Sequence, residues 1–249
     1  MSKEVNKLSS QKDENLKKKA QTEPNSKTDN EVMIDELKND RKTRYILGLA
    51  QRKHVKVIRT SKEEINKLCI GHTSGGIITS ASSAKAISIK NINLSKNPTI
   101  FLIDGIEDPY NLGYTLRSLY AFGINTCIIK NQHLISADNI IVKSSAGASE
   151  MINFIISDDI INDLNYLKNQ NYKMALLKRN PNSKVYYQYD LSKKLIVAIG
   201  GEKRGLSKDI EELANDMLYI PYANDFKNSL NATSAIVTIA SEIYKQRNK

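Results

Sequence analysis

Two five-residue apolar runs, Thr99-Ile-Phe-Leu-Ile103 and Leu195-Ile-Val-Ala-Ile199, constrain the fold of this 249-residue chain most tightly. Each reads as a buried strand, and further strands are expected at 124–129, 153–156 and 172–177. Helix-like segments lie between most of them, and a last helix is expected from about Leu230 to Arg247. Its periodicity sets Thr233, Val237, Ala240 and Tyr244 on one face, with Ile236, Ile239 and Ile243 beside them. Strands alternating with helices imply an α/β domain, a mostly parallel sheet covered by helices on both faces. Upstream, "VMID", "DRKTRYILGLAQRKH", "VKVIRT", "SKEEINKLC" and "GGIITSA" predict β-α-β-α-β, and Ser88 to Pro98 reads as a linker. Residues 1–30, poor in large apolar side chains, read as a disordered charged tail. The organisation expected is tail 1–30, a small α/β domain 31–93 and a larger α/β domain 94–249.

Charge narrows the partner class. Residues 1–40 hold eight lysines against nine acidic residues, so the net +10 comes from the remainder, which carries +11. A basic folded region suits a polyanion, although a lysine-rich proteome would produce the same excess. Cys69 and Cys127 form no C-x-x-C, which points to a reducing cytoplasm without a structural disulfide. His54, His72 and His133 lack metal-ligand spacing, so no metal is expected. The N-terminus lacks the apolar core of a signal peptide, and no stretch approaches the ~20 apolar residues of a membrane span.

Three turns carry chemistry. In "DGIEDPYNLGYTLRSLYAFGI", Asn111 can cap a helix that Gly123 ends, and Gly113 permits a close approach of backbone or ligand. Arg117, one turn beyond Gly113, suits an anionic group near the helix N-terminus. In "LIVAIGGEKRGLSKDI", Gly200, Gly205 and Ser207 have phosphate-loop spacing, but Leu206 replaces the essential lysine. That disfavours a nucleotide hydrolase and leaves a glycine-rich turn offering backbone to another ligand. In "YIPYANDFKNSLNATSA", a strand ends at Ile220-Pro221, and Ser229 or Asn231 opens the last helix. Each turn alone is compatible with plain capping and packing.

Together the three turns are far more specific. N-x-G-x-x-x-R after a strand, then G-x-E-x-x-G-L-S, then I-P followed by S-L-N resembles the SpoU/TrmH family of RNA 2′-O-ribose methyltransferases, of the SPOUT class. Pro109 and "SSAGASE" at 144–150 resemble its rRNA-modifying branch. The similarity covers about 98–249 well and 32–93 weakly. There the pattern looks like a shortened ribosomal-protein-like RNA substrate-binding domain without its first elements. Tyr114 stands where many members have alanine.

The resemblance implies a deep trefoil knot in the larger domain and S-adenosylmethionine bound against Gly200, Gly205, Ile220 and Leu230. It implies catalytic roles for Arg117, Asn111, Glu202, Ser229 and Asn231. A guanidinium deprotonates too reluctantly to be a good base, so Arg117 is expected to grip phosphate and stabilise developing alkoxide charge. The other four would orient loops and substrate. It further implies a cytoplasmic homodimer acting on RNA, with rRNA ahead of tRNA because of the extra N-terminal domain. The competing class is a non-enzymatic RNA-binding protein that retains the fold.

Overall fold

The computed structural model describes residues 30–69, 74–80, 87–129, 138–201, 204–225 and 227–249. The expected tail, apart from residue 30, lies outside the described residues, as do His72, His133 and the predicted catalytic Glu202. The chain forms two compact units that divide at residues 83/84.

The first unit contains β1 (Glu31–Asp35), α1 (Arg41–Arg52), β2 (Lys56–Thr60), α2 (Lys62–Leu68) and β3 (Ile77–Ser80), in the predicted order. Its three-stranded sheet runs β2-β1-β3, with β1 parallel to β2 and antiparallel to β3. Asp40 opens α1 by accepting from the Thr43 N–H at 2.9 Å, and Ser61 opens α2 by accepting from the Glu64 N–H at 3.3 Å. The buried apolar set is small: Val32 and Ile34 from β1, Ala50 from α1 and Ile65 from α2.

The second unit is built on a seven-stranded sheet of order β6-β5-β4-β9-β7-β10-β8 whose pairings are all parallel. Its strands are β4 (Thr99–Ile103), β5 (Thr126–Ile129), β6 (Asn153–Ile156), β7 (Lys173–Leu177), β8 (Lys184–Val185), β9 (Leu195–Ile199) and β10 (Asp216–Tyr219). The helices are α3 (Pro109–Ala121), α4 (Asp138–Ser144), α5 (Ile160–Asn169), α6 (Lys208–Glu212) and α7 (Ala232–Arg247). The two-residue edge strand β8 has no sequence signature.

β4 and β9 are buried along their whole length because the sheet has two cores. Phe101, Ile103, Val197 and Ile199 face Leu112, Leu116 and Leu119 of α3 and Ile236, Ile239 and Ile243 of α7. Ile100, Leu102, Ile196 and Ala198 face Leu164 and Leu167 of α5 and Ile210 of α6. Side chains alternate across a strand, so a run that is apolar at every position fits only a sheet covered on both faces.

One expectation needs correction, and two readings gain detail. Ser88 to Pro98 is not a bare linker: two 3-10 turns bury Ile89 and Ile92 in the α5-side core of the second unit. The inward face of α7 carries Ile236, Ile239, Ala240 and Ile243, whereas Tyr244 is exposed beside Phe122, their ring centroids 6.2 Å apart. Gly113 does permit a close approach, but α4 is what approaches. A Cβ there would lie 1.9 Å from Ser144 Oγ and 3.0 Å from the Ile141 carbonyl oxygen. Gly113→Ala should therefore separate α3 from α4 and destabilise the protein by about 1–3 kcal/mol, read as a lower urea midpoint at unchanged m-value. An unchanged midpoint would show that the α3–α4 contact yields freely.

Candidate functional site

The site begins where two central parallel strands stop. β4 and β9 are paired up to Ile103 and Ile199, and the Asp104 N–H still donates to the Ile199 carbonyl at 2.9 Å. Beyond that point the two backbones press together through glycines. A Cβ on Gly105, whose φ is +97°, would lie 2.6 Å from Gly201 Cα, and one on Gly201 would lie 2.8 Å from the Gly105 oxygen. The Gly200 turn then doubles back. The Gly205 N–H donates to the Gly201 carbonyl at 2.9 Å, and a Gly200 Cβ would lie 2.3 Å from the Gly205 carbonyl carbon. Side chains are thus excluded at Gly105, Gly200 and Gly201 by the backbone that faces them.

Around the turn, the carboxyl ends of β4, β7, β9 and β10 and the approach to α7 enclose two adjoining cavities. This is the edge at which open parallel sheets commonly bind ligands. The first, of about 430 Å³, has walls from Leu176, Leu177, Ile199, Ile220 and Leu230 and a floor of glycine backbone. Its rim is fastened. Lys178 Nζ pairs with Glu211 at 2.7 Å, the Arg179 guanidinium lies 5.1 Å from the Tyr222 ring centre, and the Leu230 N–H donates to Tyr222 Oη at 2.9 Å. The second, of about 800 Å³, has Asp104, Glu107, Asp108, Asn111, Ser207 and Asn231 in its lining. By these side chains it is called the polar cavity and the first, by its aliphatic walls, the apolar one, although both expose carbon and polar atoms alike. Gly201, Arg204, Gly205, Leu206 and Ala232 line both.

Two helix starts face the larger cavity. α3 is capped by Asp108, not Asn111: its carboxylate accepts from the N–H groups of Tyr110 at 3.2 Å and Asn111 at 3.4 Å. Pro109 explains the shift, because its fixed φ suits the first helical position and moves the start upstream. Asn111 is left exposed at the cavity. Asn231 does cap α7, accepting from the Ser234 N–H at 2.7 Å, which leaves its amide NH₂ free to donate. The first turns of the two helices are joined: Thr115 Oγ1 donates to the Asn111 carbonyl at 2.8 Å and lies 3.1 Å from Thr233 Oγ1.

The predicted residues fall into three groups. Gly200, Gly205, Ile220 and Leu230 all line the apolar cavity, with Ser229 beside them. Asn111 and Asn231 line the polar one. Arg117 lines neither: it sits two turns into α3, exposed, without a hydrogen bond or ion pair among the described residues. An N-terminus at Pro109 places it too far along the helix to reach over that end. Sequence reasoning missed Arg204, whose only signal is a cation inside a glycine-rich turn, and the Arg179–Tyr222 pair, which two distant loops contribute. Groups with displaced pKa values lie elsewhere. Burial raises the Cys127 thiol and, with Asp216 beside it, the Tyr189 phenol, while a hydrogen bond from Lys184 lowers Asp216.

Comparison with known proteins agrees with this architecture. A model of the SpoU rRNA Methylase family matches residues 98–241, more than half of the chain. A Staphylococcus saprophyticus protein named for the TrmH family of tRNA/rRNA methyltransferases is 31% identical over 153 residues, 61% of either chain. This chain therefore spans about three-fifths of the length of that relative. An uncharacterized tRNA/rRNA methyltransferase of Borreliella burgdorferi is 26% identical over 224 residues, 85% of this chain and 96% of that one. Among solved structures, the SpoU methyltransferase AviRb of Streptomyces viridochromogenes shares the fold at a TM-score of 0.73 and 19% identity, over 88% of this chain and 82% of that one. AviRb has also been solved in complex with AdoMet. Matched over more than half its length, with glycine turns pressed together at the sheet edge, the chain belongs to the SpoU rRNA methylase family.

Proposed function

We propose that this protein is an S-adenosylmethionine-dependent RNA 2′-O-ribose methyltransferase acting on rRNA in the cytoplasm as a homodimer. The apolar cavity carries the reading, because Gly200, Gly205, Ile220 and Leu230 converge on it from three separate loops. Its chemistry fits the cofactor. Aliphatic walls suit an adenine ring, and the glycine turn leaves backbone groups reachable where a side chain would block them. When bound, S-adenosylmethionine supplies an electrophilic methyl group on a sulfonium sulfur. The 2′-hydroxyl that accepts it exists only in RNA.

The chain's own residues hold the nucleotide. Asn111 and the free amide of Asn231 stand at the polar cavity as hydrogen-bond donors, Ser229 lines the cavity proposed for the cofactor, and Glu202, outside the described residues, keeps the orienting role that its motif implies. Arg117 would complete the site from a second copy. On the same exposed face of α3 stand Tyr110, Tyr114 and Tyr120, with Tyr244 exposed on α7. A tyrosine-rich face of this kind is suited to burial against a partner. Docked there, Arg117 of one copy can grip the phosphate beside the reacting ribose in the other, and its planar fork suits two oxygens at once. The trefoil knot belongs to this reading too. The central place of β9 and the return of α7 to α3 support a threaded path. The assignment of residues 31–93 to RNA substrate binding is likewise part of this reading.

Four measurements test the proposal. Mapping ribose 2′-O-methyl positions in RNA from cells with and without the gene should reveal one missing rRNA site. A missing tRNA site, or none, would contradict it. Arg117→Ala should abolish methyl transfer while titration calorimetry finds S-adenosylmethionine affinity nearly unchanged. Arg117→Lys should remain at least ~10-fold impaired, roughly 1.4 kcal/mol, because lysine keeps the charge and loses the fork. Gly200→Val should lose cofactor affinity by displacing the 205–206 backbone, and cofactor binding at wild-type strength would remove the turn from the site. Light scattering should give a dimer mass that Tyr114→Glu shifts toward monomer.

A further inference from the structure

The assignment of residues 31–93 to RNA binding names no surface, and the outward face of α1 has a lopsided charge. Residues 41–59 carry seven lysines and arginines and no acidic residue. Two of the seven are engaged: Lys56 Nζ lies 3.5 Å from Glu31, and Arg59 donates to the Glu36 carbonyl at 3.3 Å. Arg41, Lys42, Arg44, Arg52 and Lys53 are exposed and have no hydrogen bond or ion pair from their side chains among the described residues. The nearest acid in sequence, Asp40, is occupied by the Thr43 N–H and by Lys38 at 3.4 Å.

The placement costs stability. Arg41, Lys42 and Arg44 occupy the first turn of α1, where the helix dipole disfavours cations, and that turn has no acidic residue. Helical spacing brings Arg41, Tyr45, Gly48 and Arg52 into one outward ridge with Arg44 on its flank, opposite the buried Thr43 and Ala50. Tyr45, 66% exposed, stands in the middle of that ridge, and Gly48 beside it adds no side chain to obstruct its ring. Cations on both sides of an accessible aromatic ring match an RNA strand: guanidinium groups for phosphates, a ring face for an unstacked base.

We propose that the Arg41–Arg44–Tyr45–Arg52 face of α1 docks the RNA substrate, holding phosphates with the arginines and stacking an unpaired base on Tyr45. The proposal rests on the RNA-methyltransferase reading and assigns it a docking surface in the first unit. A base in a loop or bulge can reach the ring, whereas bases inside a regular duplex cannot. The arginines would act on either RNA form through counterion release.

The test is fluorescence anisotropy of the full-length protein with two labelled RNAs, a stem-loop with an unpaired loop and a fully paired duplex. The triple variant Arg41→Gln/Arg44→Gln/Arg52→Gln should bind both at least ~10-fold more weakly, with the log–log salt slope reduced by about 2. Tyr45→Ala should weaken the stem-loop about 10-fold and spare the duplex, and Tyr45→Phe should bind as wild type. All variants should keep wild-type S-adenosylmethionine affinity; the Tyr45 variants should keep the wild-type melting temperature, and the triple variant should melt no lower, since it removes cations from the first turn of α1. Wild-type RNA affinity in the triple variant overturns the inference and leaves the face to an acidic protein surface. Equal losses for both RNAs in Tyr45→Ala, or none, overturn the stacking role. Absence of RNA binding by the wild-type protein overturns the function reading itself, and this inference with it.

Discussion

The contact on which the rest depends is backbone against backbone. Where β4 and β9 end, Gly105 and Gly201 lie so close that neither could carry a Cβ, and the Gly200–Gly205 turn closes on itself in the same way. Without side chains between them, the β4 and β9 loops form one continuous wall. The two cavities adjoin along it, and Gly201 and Gly205 line both. The methyl transfer proposed for this chain calls for two adjoining compartments of this kind. The donor's adenosyl group requires desolvation, the ribose and phosphate require hydrogen bonds, and the reacting atoms must meet with little positional freedom. The pinned first turns of α3 and α7 hold the polar side in register through Thr115 and Thr233.

Much of this was legible in the chain itself, for identifiable reasons. Four successive apolar residues at 100–103 and five at 195–199 point to strands covered on both faces, and both strands lie at the centre of a parallel sheet. Glycines at 200 and 205 signal backbone exposure whatever the ligand, and the structure places both at the apolar cavity.

What was not legible depended on contacts between distant segments. Asn111 and Asp108 are equally good caps by composition, and Pro109 between them decides which is used. Gly113 looks like a ligand-approach glycine until α4, some 30 residues further along, is seen to lie on it. Ile89 and Ile92 sit in a polar stretch whose burial becomes apparent only once the α5-side core is assembled. Arg117 has the same origin: one added turn at the helix start moves it from the cavity mouth to an outward face. A residue outside both cavities of its own chain can still serve a site if a second copy presents it, and that idea is central to the proposed mechanism.

Subunit complementation tests that idea most directly. Arg117→Ala and Gly200→Val, each inactive alone, are co-expressed with different tags, and the mixed dimer is isolated and assayed for methyl transfer to rRNA. If Arg117 serves its partner's cavity, both lesions fall in one site, the Gly200→Val cavity facing the Arg117→Ala position of the other subunit, and the second site has none. The mixed dimer then regains about half of wild-type activity, since one of two symmetric sites is whole. If Arg117 serves the cavity of its own chain, each site keeps one lesion, the mixed dimer stays as inactive as its parents, and the account of the active site is wrong.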